Sequence, residues 1–293
     1  LCNSSPEKVT TFHYFLELPN IEEKLKAWIA KTSEEGDWSA NSKSITNSFV
    51  SEGLKGRCIT RDLKWGVPVP SDDPDLQNKV FYVWFDAPIG YLSISANLVG
   101  DKWVDWWKNP EHVKYYEFMG KDNVTFHTVI FPSTLLGTGK KWTLLHHLST
   151  TEFLNYEGTK FSKSKNIGVF GDQVQSTGIP SEIWRYYLLS VRPELSDTDF
   201  RWDDFQARNN NELLSNLGNL VNRVLVFTFK NFNGKVPKFN PEKLTKEEDL
   251  KFLKDLLKLF NDYISFQNKT CIKDALRIVM EISTLGNGYL QLT

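Results

Sequence analysis

Four sets of residues have types and spacing that could do chemistry. The most concentrated is Gly158-Thr-Lys160-Phe161-Ser162-Lys163-Ser164-Lys165, where three lysines and two hydroxyls fall within six residues. It fits a solvated charged turn, and it fits a mobile anion-binding loop. The order of residues favours the loop. Phe161 can pin it to the body of the protein and leave Lys163 to swing toward an anion. Ammonium groups on such a loop suit a developing pyrophosphate charge, because full engagement is needed only in the transition state. The second set is Trp84, Ala87, Pro88 and Tyr91, at or just past the end of the aromatic run Val80–Phe85, together with His127. Aromatic faces and edges suit a soft thioether, at ~0.3–1.5 kcal/mol per sulfur contact, and the Tyr91 hydroxyl and His127 imidazole could aim at the sulfur. Core packing explains the same aromatic run, and a satisfied structural histidine explains His127. Third, Gly120-Lys-Asp122 follows a strand end. Glycine there permits close backbone approach, and the carboxylate can accept from ribose hydroxyls. A plain turn with Asp122 as helix cap fits equally. Fourth, Asn219 and Arg223 stand four apart on one helical face. They offer an amide and a guanidinium to splayed RNA bases, or simply a solvent-facing helix side.

One phosphate motif fails. Gly137-Thr-Gly139-Lys140-Lys141 lacks the earlier glycine, which would fall at Thr134, and Lys141 stands where Ser or Thr is required. It reads as a surface turn.

The elements that must position these groups are legible in outline. Asn20-Ile-Glu-Glu23 predicts a capping box, followed by a helix carrying Leu25, Trp28 and Ile29. A second helix is expected over Asn41–Leu54. Val80–Phe85 predicts a buried strand with functional groups at its carboxyl end. Tyr115–Met119 predicts a shorter strand, Val124–Leu136 a helix, and Leu144–Leu154 a strand pair or a bent strand. Strands alternating with helices predict an α/β fold with a parallel, doubly wound sheet, whose ligands sit beyond the strands' carboxyl ends. From Trp202 the texture becomes helical. Leu213, Leu214, Leu217, Leu220, Val221 and Val224 recur at helical spacing, Thr245-Lys-Glu-Glu248 predicts a second capping box, and Ile272–Leu290 a further helix. Asn231–Leu244 predicts a loop. This bundle, about 90 residues, can hold its own core.

Composition narrows the class. Lys plus Arg number 35 and Asp plus Glu 36, a formal charge of -1, so any nucleic-acid contact must use a local patch. Hydrophobic residues at 40% and 10 tryptophans exclude a largely disordered chain. The three cysteines, Cys2, Cys58 and Cys271, are too few and scattered for a disulfide framework, which favours a reducing compartment. The longest apolar run is six residues against the ~20 of a membrane span, so no membrane partner is expected. The chain opens on Leu without the pattern of a signal peptide, and it reads as part of something longer.

The lysine loop resembles the KMSKS loop of class I aminoacyl-tRNA synthetases. More closely, RCITRDLKWGVPVP, FYVWFDAPIGY, EFMGKDNVTFH and KFSKSKNIGVFGD resemble the eukaryotic cytosolic methionyl-tRNA synthetase family, from Cys2 to the last residue. The resemblance implies a fold: the second half of a class I Rossmann-type catalytic domain followed by an α-helical anticodon-binding bundle. Residues 1–60 would close the connective-peptide and zinc-knuckle region and return to the catalytic domain. Residues 61–150 would form the second half of the nucleotide fold, 151–204 the KMSKS and stem-contact region, and 205–293 a truncated anticodon-binding domain. It implies methionine contacts at Trp84, Ala87, Pro88, Tyr91, Asn123, His127 and Phe131, and ATP contacts at Gly120, Asp122, Leu154 and Lys163. Lys160, Ser162, Lys163 and Ser164 would act in catalysis, and Asn219 and Arg223 would read the anticodon. Phe161 stands where the loop's name has Met, Asn123 where many relatives have an aliphatic residue, and Phe131 where bacterial relatives have Trp. Cys2 matches the last cysteine of the family's zinc knuckle. Zn²⁺ wants four ligands, so zinc is expected in the full-length parent and not in this chain.

The implied reaction is ATP- and Mg²⁺-dependent activation of L-methionine to methionyl-adenylate and transfer to tRNA(Met), in the cytoplasm. Partners in a multi-synthetase complex stay open. No HxGH occurs, and His146-His147 lacks the paired glycine, so the mechanism belongs to the parent enzyme. The alternatives are a non-catalytic tRNA-binding fragment, a synthetase for another apolar amino acid, and a structural α/β protein.

Overall fold

The structure is a computed structural model that describes Ser5 and residues 7–292. Cys2 lies outside the described residues. The chain divides into two compact units, Leu1–Thr151 and Glu152–Thr293.

In the first unit, β1 (Phe15–Leu16) pairs antiparallel with β2 (Arg57–Cys58), and α1 (Glu22–Glu35) and α2 (Ala40–Ser51) lie between them in sequence. The helical spacing of α1 does what it predicts. Leu25 and Ile29 are buried with Leu18, Leu54, Phe126 and Val129 in one core cluster. The expected capping box does not form. Asn20 closes a 3₁₀ turn, the Ile21 N–H bonds the Leu18 carbonyl, and the helix starts at Glu22 with no side-chain cap. Glu22 and Glu23 in the first turn complement the helix dipole instead.

The aromatic run is the largest departure. Only β4 (Val80–Phe81) is strand, antiparallel to β3 (Thr60–Arg61). Tyr82 N–H reaches the Ile59 carbonyl at 2.8 Å. The chain then coils into α3 (Val83–Asp86), and Pro88 leads into α4 (Ile89–Val99). The short partner strand ends there, and the N–H groups of Phe85, Asp86 and Ala87 bond backward along the chain. Trp84 is therefore on a helical turn and 43% exposed, not at the end of a six-residue buried strand.

After α5 (Trp103–Trp107), β5 (Tyr115–Gly120) and β6 (Leu145–Thr151) form a parallel pair in register from Tyr116↔His147 to Gly120↔Thr151. Between them runs the expected helix, altered in kind. Pro132 has no N–H to give the Thr128 carbonyl, and the chain takes a wide π-type turn over Phe126–Ile130 before α6 (Phe131–Gly137). That turn is buried throughout.

The second unit opens with β7 (Leu154–Tyr156), parallel to β8 (Thr198–Phe200). Leu144–Leu154 thus resolves into two strands with different partners. Short α7 (Gly171–Val174) and longer α8 (Ser181–Ser190) pack around a core of Trp184, Tyr187, Val191, Phe200 and Phe205. The bundle follows as α9 (Trp202–Arg208), a π-type stretch Asn209–Gly218, α10 (Asn219–Phe232), α11 (Glu247–Asn268) and α12 (Ile272–Leu292). The second capping box also fails: Lys246 occupies the cap position of α11, without a side-chain bond, and three acids fill the first turn. Among the described residues every sheet has two strands, and no helix is long and apolar enough to cross a membrane.

Candidate functional site

Trp84, Ala87, Pro88, Tyr91, Asn123 and His127 line one cavity of about 280 Å³. Three segments deliver them: α3 with the Ala87-Pro88 link, the first turn of α4, and the 3₁₀ and π-type turns that follow the carboxyl end of β5. The Trp84 ring lies 4.1 Å, centroid to centroid, from Phe126, a wall residue that sequence reasoning missed. The π-type turn brings it there, and apolar periodicity carries no sign of an extra residue per turn. Phe131 is buried one layer further in. Its ring is 6.1 Å from Tyr91 and 6.3 Å from Trp107.

The polar groups of this cavity are interlocked. His127 Nδ1 lies 2.8 Å from the Asn123 carbonyl, which can only accept, so Nδ1 carries the proton. Nε2 is left to accept from the Tyr91 hydroxyl at 2.9 Å. Burial lowers the His127 pKa, which keeps the imidazole neutral and able to accept. Burial, with a smaller push from the Glu117 carboxylate, raises the Tyr91 pKa and keeps the phenol protonated. With its O–H donated to His127, the Tyr91 oxygen offers lone pairs to whatever else enters.

Gly120 ends β5, and Asp122 sits exposed in the 3₁₀ turn Lys121–Asn123 that follows. Gly120 has φ -77°, open to any residue, and a Cβ there would meet nothing within 4 Å. The protein's own packing therefore does not require glycine at this strand end. Its removal would matter only to something approaching from outside.

The lysine loop belongs to the second unit. Ser162 and Ile167 exchange two backbone hydrogen bonds of 2.9 Å, and Lys163–Lys165 make a 3₁₀ turn between them. Phe161 packs 5.3 Å from Tyr156 and 6.0 Å, edge to face, from Phe170. Gly168 has φ +117°, and a Cβ there would fall 2.2 Å from the Phe161 ring. A side chain at 168 would evict the pin. Lys160 and Lys163 are exposed, and each approaches only an aromatic ring, Phe153 and Phe170, at 6.0 Å. Among the described residues neither makes an ion pair. Ser162 and Ser164 face each other at 3.4 Å. Leu154, in β7, packs against the Trp184–Phe200 core of the same unit.

Asn219 and Arg223 are not free side chains on a helix face. Asn219 Nδ2 donates to Asn287 Oδ1 at 3.0 Å, and Arg223 donates to the carbonyls of Asn287 at 3.1 Å and Leu290 at 2.7 Å. They fasten α10 to the end of α12. Zinc finds no fit among the described residues: no three His, Cys, Asp or Glu groups converge, and the Cys58 sulfur accepts from Arg61 at 3.3 Å.

The first unit thus holds an aromatic cavity and a glycine turn at the carboxyl end of a parallel strand, and the second unit a pinned loop of exposed lysines, on an α/β fold. The comparisons agree. The family model described as "tRNA synthetases class I (M)" matches residues 1–225. The methionine–tRNA ligase, cytoplasmic, of Saccharomyces cerevisiae is 53% identical over 291 residues, 99% of this chain and 38% of its own length. The human methionine–tRNA ligase, cytoplasmic, is 50% identical over 99% of this chain and 32% of its own. A solved Mycobacterium tuberculosis methionyl-tRNA synthetase in complex with methionyl-adenylate superposes with a TM-score of 0.78 at 26% identity, over 96% of this chain and 52% of that one. The chain belongs to the methionyl-tRNA synthetase family of class I synthetases. It spans about a third to two fifths of the length of these curated relatives.

Proposed function

We propose that this chain is the part of a cytoplasmic methionine–tRNA ligase that selects methionine and handles the triphosphate and the tRNA. The methionine carboxylate attacks the α-phosphorus of ATP in line. The bond to the β-phosphate breaks and pyrophosphate leaves. The tRNA(Met) terminal hydroxyl then attacks the mixed anhydride and releases AMP. Each residue has a part in this. Trp84, Ala87 and Pro88 surround the side chain, Phe131 backs Tyr91 from one layer further in, and Asn123 holds His127 through its carbonyl. The Tyr91–His127 pair presents ring edges to the sulfur end. Gly120 and Asp122 receive the ribose, and Leu154 the adenine. Lys160 and Lys163 neutralise the departing pyrophosphate, and Ser162 and Ser164 hydrogen-bond it. Mg²⁺ bound to the ATP phosphates would supply further charge neutralisation beside these lysines. Asn219 and Arg223 support the helix face that meets the anticodon.

The observation that carries the reading is the convergence of Trp84, Tyr91 and His127 on one cavity, with the tyrosine hydroxyl donated to a neutral histidine. A cavity so tied suits a soft, uncharged, unbranched side chain. The experiment is pyrophosphate exchange by the complete enzyme against a panel of methionine, leucine, isoleucine and valine. Exchange driven by methionine at least ~100-fold better than by the branched residues is expected. Equal rates would remove the methionine assignment.

A further inference from the structure

We propose that Glu117 is a positioning residue for the sulfur end of the methionine pocket, acting through Tyr115 on the Tyr91–His127 pair. The proposal rests on the methionine reading of that cavity. Glu117 and Tyr115 are two apart on β5 and so share a face of the strand. Glu117 is 7% exposed. Its Oε1 accepts the Tyr115 hydroxyl, and its Oε2 is buried without a hydrogen-bond partner. The Tyr115 ring meets Trp107 edge-on at 5.0 Å and Tyr91 at 6.3 Å. Trp107 Nε1 donates to Ser95 Oγ at 2.9 Å, and Ser95 donates to the Tyr91 carbonyl at 2.7 Å. Tyr91 is therefore held by its ring edge, its backbone and its hydroxyl, and Glu117 stands at the root of the first of these.

Packing alone does not call for a carboxyl here. A leucine or methionine would fill a similar volume without a desolvated, half-unpaired polar group. Burial raises the carboxyl's pKa to about 7, a mark of how poorly the site suits a charge. What an apolar side chain could not do is accept from Tyr115. Without that acceptor the Tyr115 hydroxyl is buried unsatisfied and must reorient, and its ring is the edge that meets Tyr91.

The test compares Glu117→Ala, Glu117→Gln and Tyr115→Phe. The first readout is the tautomer of His127, from long-range ¹H–¹⁵N spectra of this chain. The second is the KM for methionine against kcat in pyrophosphate exchange by the complete enzyme. Wild type should show the single Nδ1–H tautomer. E117A should show a mixture and raise KM about tenfold with kcat within about threefold, whereas E117Q, which still accepts from Tyr115, should restore both. Y115F should follow E117A, and it carries the test if E117A does not fold. An unchanged tautomer in both E117A and Y115F overturns the proposal. So does an E117Q as impaired as E117A. A tautomer that shifts as expected while wild type shows no methionine-dependent exchange upholds the positioning role and removes the substrate reading instead.

Discussion

The cavity of the first unit and the lysine loop of the second are built on opposite principles. In the cavity the phenol and imidazole are already tied: the Asn123 carbonyl holds His127, His127 accepts from the Tyr91 hydroxyl, and Ser95 ties the Tyr91 backbone. In the loop one apolar residue is fixed and the lysines are left exposed. A site that discriminates by shape and soft contacts gains from rigidity before the ligand arrives. A site that stabilises charge appearing during the reaction gains from cations not spent on the ground state. Substitutions in the two places should therefore fail differently.

The widest separation is expected at Lys163. Lys163→Ala in the complete enzyme should cut the adenylation rate by ~10²–10³ and leave methionine affinity within about twofold. Single-turnover adenylation with equilibrium methionine binding measures both. A variant that weakens binding and leaves the rate intact would place Lys163 in the ground state and erase the contrast.

The second effect belongs to the cavity side and is read as stability against pH. The Glu117 pKa rises from 4.5 to about 7 in the folded chain, so the fold binds this proton more tightly than the unfolded chain does. The contribution is fully present below about pH 4.5 and is lost as pH rises through about 7. It should amount to at most ~3 kcal/mol. Denaturation of wild type and Glu117→Gln across pH 4.5–8 should show a slope in wild type that the variant lacks. Parallel curves would mean that the carboxyl titrates normally.

Much of this was legible in the residues themselves. The loop's apolar pin was plain from Phe161 standing between two polar neighbours, and β5 and the helices of the bundle follow from periodicity. The site's walls were harder to read. Val80–Phe85 has the composition of a strand, but a strand needs a partner, and β3 is only two residues long. Asn20 and Thr245 match capping boxes, yet a 3₁₀ turn ahead of α1 and a one-residue shift at α11 take them out of the cap position. The π-type turn that brings Phe126 to Trp84 answers to the missing Pro132 N–H, a break the sequence does print, and to burial on several sides, which no local pattern encodes. Glu117 did leave a trace, a charged residue inside Tyr-Tyr-Glu-Phe-Met. Its partner, Tyr115, is two residues away on the same strand, visible once the segment is known to be strand.

Gly168 sharpens the contrast from the loop side. Gly168→Ala combines a strained φ of +117° with a Cβ 2.2 Å from the Phe161 ring. The loop should lose its pin while keeping every lysine. Adenylation should fall by ~10–10², less than for Lys163→Ala, because the cations survive and only their placement suffers. A rate equal to wild type would show that Phe161 is not what aims the loop.

The smallest effect is expected at Arg223, where two explanations of one side chain diverge. As a reader of RNA it would offer its guanidinium to a base. Yet it already donates to the Asn287 and Leu290 carbonyls, and Leu290 lies in the last turn of α12, where carbonyls lack helical partners. Asn219 reaches Asn287 from one turn away on the same helix. Arg223→Ala should therefore destabilise the packing of α10 on α12 by ~1 kcal/mol, more than a typical surface change. Any loss of tRNA affinity should then be uniform across anticodon bases, because the helix face moves as a whole. Arg223→Lys keeps the charge but not the forked geometry that spans two carbonyls, and should recover only part of the stability. Unchanged stability in Arg223→Ala, joined to a loss confined to one anticodon position, would turn the residue back into a direct base contact. Its two hydrogen bonds to α12 would then be a resting place that the RNA displaces.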